Sequence, residues 1–172
     1  GGTLEMDVPG QTDYWRIAHY GFTVDDGPFL YATYGGEFEA KIKVSGDYKV
    51  RFDHAGMMIR QGHENWVKFG IEFVEGKYNI STVVTHHTSD WSVIQLETPI
   101  PHLWLKAVRR LDAIEIYYSF DDKEYTMMRT LWMQDNCPLQ VRLSAHYMRK
   151  ALPLLSYSDI QSQPSTHIST PR

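Results

Sequence analysis

The polarity of residues 52–95 alternates with a period of two, and this pattern constrains the fold more than any other feature of the chain. In the segment WVKFGIEF, residues 66–73, four apolar side chains alternate with Trp66, Lys68, Gly70 and Glu72. Successive side chains of a strand point to opposite faces of its sheet, so the segment predicts a half-buried antiparallel strand. Residues 74–78 contain a glycine and precede another alternating run at 79–85, which is typical of a hairpin.

Short alternating runs with turn residues between them continue along almost the whole chain. They predict strands at residues 4–8, 13–17, 37–44, 48–61, 65–74, 79–85, 91–96, 103–109, 113–120, 125–132, 139–146 and 154–161. Residues 25–36 are predicted as a long aromatic loop, and no window of ten residues predicts a helix. We therefore expect an all-β sandwich or barrel forming one domain over residues 1–161, followed by an extended Ser/Thr/Pro-rich C-terminal tail at 162–172.

Composition excludes several classes of function. The net charge of −4 gives no concentrated basic surface, so no nucleic-acid partner is expected. No apolar run approaches the roughly 18 residues that span a bilayer, so no membrane partner is expected either. The single cysteine, Cys137, excludes an intramolecular disulfide and favours a cytoplasmic location. The sequence has no phosphate-binding loop or dinucleotide fingerprint, and no cofactor is expected.

Several sequence blocks carry a family resemblance. The central ones are AGMM at 55–58, ENWVKFGIE at 64–72 and SDWS at 89–92; the later ones are WLK at 104–106, YYS at 117–119 and DD at 121–122. Together they resemble the domain family of unknown function that includes the fungal regulation-of-enolase proteins, over about residues 37–160. The resemblance implies a concanavalin A-like lectin/glucanase jelly roll, a sandwich of two antiparallel sheets with one concave face. It implies no settled biochemical activity.

The same alternation places polar and aromatic side chains on the faces of the strands that point away from the core. Aromatic rings cover the apolar faces of a pyranose, while charged and amide groups bond its hydroxyls. The leading hypothesis is a non-catalytic binding module for a carbohydrate or related ligand, and the alternative is a solvated sheet face with charges paired across strands. The candidate ligand-binding residues are His54, Arg60, Trp66, Lys68, Glu72, Trp91, Lys106, Glu115 and Tyr117.

A second hypothesis is a cytosolic regulatory protein that binds another protein. The resemblance to a family named for enolase regulation motivates it, together with the aromatic segment PFLYATY at 28–34. If Phe29, Tyr31 and Tyr34 are exposed there, they form an apolar patch larger than a monomer usually presents. The competing interpretation is that this segment folds back over the sandwich.

A third hypothesis is glycoside hydrolysis, which requires two suitably spaced carboxylates. The chain lacks the acid triplet that related jelly-roll glucanases carry on one strand. Glu72 and Glu115 are the pair that alternation could bring together across strands, but Lys68 and Lys106 are expected to hold them ionised. We therefore name no catalytic residue and expect no hydrolysis of polysaccharides.

The eight histidines show no zinc-binding spacing. His86 and His87 are adjacent, so in a strand their rings point to opposite faces and do not bind one ion together. No metal site is therefore predicted from histidine. Loop carboxylates at residues 25–26 and 121–122 leave a structural calcium ion as an alternative, although Asp-rich turns also arise from turn chemistry alone.

Overall fold

The computed structural model describes residues 2–4, 8, 10–146 and 155–162. All regular structure in these residues is β, and none of it is a helix long and apolar enough to cross a membrane. The strands are β1 (Gly2–Leu4), β2 (Tyr14–Arg16), β3 (Thr23–Asp25), β4 (Phe29–Tyr34), β5 (Phe38–Val44), β6 (His54–Gly62), β7 (Asn65–Val74), β8 (Lys77–His86), β9 (Thr88–Gln95), β10 (Leu103–Arg110), β11 (Ala113–Ser119), β12 (Thr126–Trp132), β13 (Leu139–His146) and β14 (Leu155–Ser162).

Two six-stranded antiparallel sheets form the sandwich. The first sheet has the strand order β1-β14-β5-β10-β11-β12, and the second has the order β4-β13-β6-β7-β8-β9. Neighbours in these orders include strands far apart in sequence, such as β14 beside β5 and β13 beside β6. This arrangement confirms the predicted all-β jelly-roll sandwich of two antiparallel sheets. The predicted tail, apart from Ser162, lies outside the described residues.

The core lies between the sheets and contains the apolar half of each alternating strand. From the second sheet, Val67, Phe69 and Ile71 are completely buried. Leu105 and Ile116 of the first sheet belong to the same apolar cluster and are equally buried. Removal of this apolar surface from water drives the two sheets together, at about 25 cal/mol for each Å². The alternation seen in the sequence therefore assigns the inward faces correctly.

Two predicted segments differ from the structure. Within the predicted loop at 25–36, residues 29–34 form the edge strand β4, which pairs with β13 in unbroken register. Tyr34 packs against the core, Tyr31 is exposed, and the side chain of Phe29 lies outside the described part. Residues 48–53, predicted as the start of a long strand, instead form an irregular connection before β6. The loop prediction failed for residues 29–34 because pairing with a strand distant in sequence overrides the local turn signals.

A two-stranded hairpin, residues 13–26, packs on the outer face of the second sheet. Its strands β2 and β3 pair with each other and belong to neither large sheet. Tyr14 and Trp15 of the hairpin form a second apolar cluster with Met58, Trp66 and Val83 of the sheet. Three ion pairs tie the hairpin to the sheet beneath it. They are Asp13 with Lys68, Arg16 with Glu64 and Asp25 with Arg60.

Candidate functional site

The nine predicted ligand-binding residues divide between the outer faces of the two sheets. His54, Arg60, Trp66, Lys68, Glu72 and Trp91 belong to the second sheet, where β6, β7, β8 and β9 lie side by side. Lys106, Glu115 and Tyr117 belong to β10 and β11 of the first sheet. A sandwich places its two outer faces on opposite sides of the core. The structure therefore does not bring the nine residues into one site.

Three residues of the larger group are unavailable to a ligand. Trp66 is only 1% exposed and packs edge-on against Tyr14 of the hairpin, with ring centroids 6.2 Å apart. The guanidinium of Arg60 is bound by the Asp25 carboxylate in a bidentate pair. His54 is completely buried. The hairpin thus uses Trp66 and Arg60 for its own attachment.

The other three residues, Lys68, Glu72 and Trp91, line a pocket of about 160 Å³ beside the hairpin, which we call the hairpin pocket. Its polar groups are the side chains of Asp13, Lys68 and Glu72. Val83 of β8 contributes apolar surface to the pocket. Five aromatic side chains complete the lining: Trp15, Tyr20, Phe22, Phe52 and Trp91.

The tip of the hairpin supplies one group of these aromatic rings. Tyr20 and Phe22 stack with centroids 5.6 Å apart, and each is more than 40% exposed. The turn that holds them is closed by backbone hydrogen bonds, in which Ile17 N–H donates to Phe22 and Gly21 N–H donates to Ile17, both at 2.7 Å. Ile17 has a φ of 64°, which is costly for a β-branched residue. Strain of this kind persists where the surroundings enforce it and clusters at functional sites.

A second aromatic group comes from the connection before β6. Phe52 has a φ of 71°, a left-handed conformation that bulky residues rarely adopt. The Asp53 carboxylate enforces it by accepting hydrogen bonds from the backbone N–H groups of Lys49 and Val50, both at 2.7 Å. The Phe52 ring then meets Trp91 edge-on, with centroids 6.3 Å apart. The strained positions Ile17 and Phe52 therefore lie in the two segments that present aromatic side chains to the hairpin pocket.

Two of the charged groups of the pocket, Lys68 and Glu72, are buried, and Lys68 forms an ion pair with the partly buried Asp13. The Lys68 ammonium, in a side chain only 3% exposed, donates to Asp13 Oδ1 at 2.9 Å. Glu72 is 4% exposed, and the indole N–H of Trp91 donates to its Oε2 at 2.9 Å. Burial raises the pKa of Glu72, while Lys68 and the Trp91 hydrogen bond offset that effect only in part. The pocket thus offers hydrogen-bond donors and acceptors shielded from bulk water.

This geometry corrects the expectation for the two glutamates. Glu72 and Glu115 lie on different sheets and do not meet. Lys68 forms its ion pair with Asp13, and burial rather than the nearby ammonium dominates the pKa of Glu72, which is raised where lowering was expected. Glu115 accepts a hydrogen bond from the Tyr117 hydroxyl at 2.9 Å, with Arg110 4.0 Å away. The expected pairing of each glutamate with a lysine therefore accounts neither for the raised pKa of Glu72 nor for the contacts of Glu115.

The outer face of the first sheet shows the paired, solvated arrangement that was the alternative hypothesis. The Lys106 ammonium lies 4.8 Å from the Tyr117 ring centroid and 4.3 Å from that of Tyr125. Lys41 on the neighbouring strand binds Asp122 at 2.9 Å. Partly exposed cation–π contacts and ion pairs of this kind contribute about 0.5–1 kcal/mol each. The three predicted residues on this face thus contact their neighbours on the same sheet.

The Asp-rich turns considered for calcium are occupied by protein contacts. Asp25 binds Arg60, and Asp26 Oδ1 accepts from the Asp13 N–H at 2.9 Å. Asp121 Oδ1 accepts the Lys123 N–H at 2.9 Å as part of its own turn. Within the described ranges, no group of three or more His, Cys, Asp or Glu side chains is arranged to hold a metal ion.

Six residues of the hairpin pocket were not predicted from the sequence, for one physical reason. Alternation identifies which side chains leave the core, but it does not indicate that the hairpin covers part of that face. The segment YGF at 20–22 carries a usable signal, because a glycine between two aromatic residues indicates a turn that presents both rings. In the structure this glycine has a φ of +73°. The missed residues are Asp13, Trp15, Tyr20, Phe22, Phe52 and Val83.

Comparisons with known proteins agree with the fold. A family model described as "Protein of unknown function (DUF1349)" matches residues 1–152. "Regulation of enolase protein 1" of Saccharomyces cerevisiae is 34% identical over 128 residues, which are 74% of this chain and 65% of that protein. The chain thus spans less than two thirds of that relative's length.

Solved structures show the same architecture. A functionally unknown protein from Saccharomyces cerevisiae superposes with a TM-score of 0.82 at 31% identity, covering 95% of this chain and 88% of that one. A bifunctional GH43-CE protein of Bacteroides eggerthii superposes with a TM-score of 0.70 at 18% identity, covering 95% of this chain and 21% of that one. At this identity the second similarity concerns the fold alone.

Proposed function

The chain belongs to the DUF1349 family of proteins of unknown function, and from that premise we propose that it is a ligand-binding module whose hairpin pocket recognises a carbohydrate or related polyhydroxylated ligand. The observation that carries the proposal is the combination of five aromatic side chains with the buried Lys68 and Glu72 and the partly buried Asp13 in one open pocket. Aromatic faces stack on the C–H surface of a sugar ring. The polar groups bond its hydroxyls, and their burial protects those hydrogen bonds from competition with water.

The pre-organised geometry of the pocket supports this proposal. Two left-handed residues, Ile17 and Phe52, hold aromatic surface in place through backbone hydrogen bonds. Lys68 is fixed by its ion pair with Asp13, so little side-chain freedom is left for a ligand to remove. A pre-organised site of this kind gains affinity because fewer groups are immobilised on binding.

A glycan array followed by titration of intrinsic tryptophan fluorescence tests the proposal. Wild type is expected to bind at least one glycan class, and Trp91→Ala and Tyr20→Ala are expected to weaken that binding by at least about tenfold, or 1.4 kcal/mol. Trp132→Ala is the matched control, because Trp132 is 57% exposed on β12 of the first sheet and lies outside the pocket. Equal loss in the control, or no glycan binding by folded wild type, would contradict the proposal.

We also propose a second candidate, a protein-binding role related to the regulation of enolase. The similarity to the yeast protein of that name motivates it. An independent observation is the edge strand β9, on which Val93 and Ile94 are each nearly half exposed. Exposed apolar edges of a sheet are suited to partner binding.

Titration of purified yeast enolase into the protein, followed by calorimetry, tests this second candidate. Binding that is lost in Val93→Asp and kept in Trp91→Ala supports it, since that result separates the exposed Val93 and Ile94 of β9 from the hairpin pocket, to which Trp91 belongs. Absence of binding by the folded wild-type chain would remove this candidate and leave the first untouched.

A further inference from the structure

The limits of the hairpin pocket along β7 define how much of a glycan it can hold. On one side of Lys68, residue Trp66 is covered by the hairpin and is 1% exposed. Beyond Glu72, the backbone N–H of Phe52 donates to the Phe73 carbonyl at 2.7 Å, so the connection before β6 lies against that end of the strand. The stretch of β7 that lines the pocket runs from Lys68 to Glu72, which is four residue steps or roughly 13 Å of strand.

The pocket is also limited across the strands. On the β6 side, His54 and Met58 are completely buried and do not line the pocket, so the pocket ends there. On the β9 side, Trp91 and Val93 are exposed at the edge of the second sheet, and this is where the pocket can open. Protein therefore bounds three sides of the hairpin pocket, and a long ligand has no continuous path through it.

The volume agrees with these boundaries. Pockets for drug-sized ligands occupy about 300–1,000 Å³. The hairpin pocket, at about 160 Å³, is roughly half the lower limit of that range. A single sugar ring is the unit of a glycan that matches a volume of this size, whereas an internal segment of several rings requires an open groove.

Resting on the proposed function, we infer that the hairpin pocket binds one terminal residue of a glycan end-on, rather than an internal segment of the chain. The stacked pair Tyr20 and Phe22, with Trp91, contacts the faces of that ring. Lys68 and Glu72 bond its free hydroxyls at the bottom of the pocket. The remainder of the glycan leaves past the β9 edge and contributes little to affinity.

The inference is tested with matched saccharides of one, two and four units that carry the terminal sugar selected on the array. The monosaccharide is supplied as its methyl glycoside, and a fourth probe is the tetrasaccharide with its terminal sugar replaced. Affinities for the first three are expected to agree within about threefold, and replacement of the terminal sugar is expected to abolish binding. Phe22→Ala is expected to weaken all three to the same extent, with Trp132→Ala as the unchanged control.

The outcomes separate the inference from the proposed function. Affinity that rises more than tenfold from one to four units, or that survives terminal replacement, would overturn end-on binding and keep the carbohydrate site. Binding that is equal in wild type and Phe22→Ala would place the ligand elsewhere and overturn both. A folded wild type that binds none of the probes would also overturn both.

Discussion

The outer face of the second sheet and the outer face of the first sheet begin from the same sequence pattern but lie in different surroundings. On each face a tryptophan, a lysine and a glutamate lie at alternating strand positions. They share one strand in the second sheet and two neighbouring strands in the first. On the second sheet, Trp66 and Lys68 are nearly completely buried beneath or beside the hairpin. On the first sheet, Trp104 and Lys106 are partly exposed, and their neighbours are side chains of the same sheet.

This difference shows that the covering element, and not the strand pattern, decides what an outward-facing side chain does. Under the hairpin, a lysine forms a buried ion pair and a glutamate shows a raised pKa. On the outer face of the first sheet, where Lys106 and Glu115 are partly exposed, the same residue types contact neighbouring side chains. Comparisons of equivalent substitutions on the two faces therefore test whether the hairpin creates the site.

Replacement of tryptophan gives the largest expected difference between the faces. Trp66→Ala removes a fully buried ring that packs against Tyr14 and should destabilise the protein by about 3–5 kcal/mol. Trp104→Ala removes a partly exposed ring and should cost about 1 kcal/mol. Urea unfolding followed by circular dichroism measures both. Equal costs would mean that the hairpin does not bury Trp66 in solution.

Replacement of lysine gives an intermediate difference. Lys68→Met leaves the partly buried Asp13 carboxylate without its cation and should cost about 2 kcal/mol, less than a fully buried pair because Asp13 retains some contact with solvent. Lys106→Met removes only cation–π contacts to Tyr117 and Tyr125 and should cost about 0.5 kcal/mol. The same unfolding assay compares the two variants.

A double-mutant cycle sharpens this second test. Adding Asp13→Asn to Lys68→Met removes both charges, so the double variant should be more stable than the sum of the single changes predicts. Additive costs within about 0.3 kcal/mol would show that the ion pair between hairpin and sheet is not formed.

The strand pattern was sufficient to predict the fold class and the inward faces. Val67, Phe69 and Ile71 enter the core as predicted, because a period of two fixes the side of the sheet once one face is buried. The edge strand β4 was not predicted, because its pairing with β13 joins residues about a hundred positions apart. Such long-range pairing leaves no local signature in a single sequence.

Only three of the nine residues that line the hairpin pocket were predicted from the sequence. Lys68, Glu72 and Trp91 were identified because alternation directs them away from the core. Phe52 was missed because its left-handed conformation depends on hydrogen bonds to Asp53, and a pattern of strands gives no reason to expect them. The assignment of Lys106, Glu115 and Tyr117 to the same site failed because the sequence does not indicate which sheet a strand joins.

Replacement of glutamate gives the smallest expected difference, and it depends on pH. Burial raises the pKa of Glu72, so the folded protein holds this proton more tightly than the unfolded chain does. The stabilisation from the proton is complete below the pKa of the carboxyl in the unfolded chain, and it is lost as the pH rises through the raised pKa in the folded protein.

Glu72→Gln keeps an acceptor oxygen for Trp91 but cannot ionise. Relative to wild type, its free energy of unfolding should therefore increase as the pH rises from the ordinary carboxyl pKa through the raised pKa of Glu72 in the folded protein. Glu115→Gln, on the uncovered face, should change stability by no more than about 0.5 kcal/mol. A Glu72→Gln difference that stays constant or falls with pH would show that solvent reaches this carboxylate, and that the hairpin pocket is not the shielded site the structure describes.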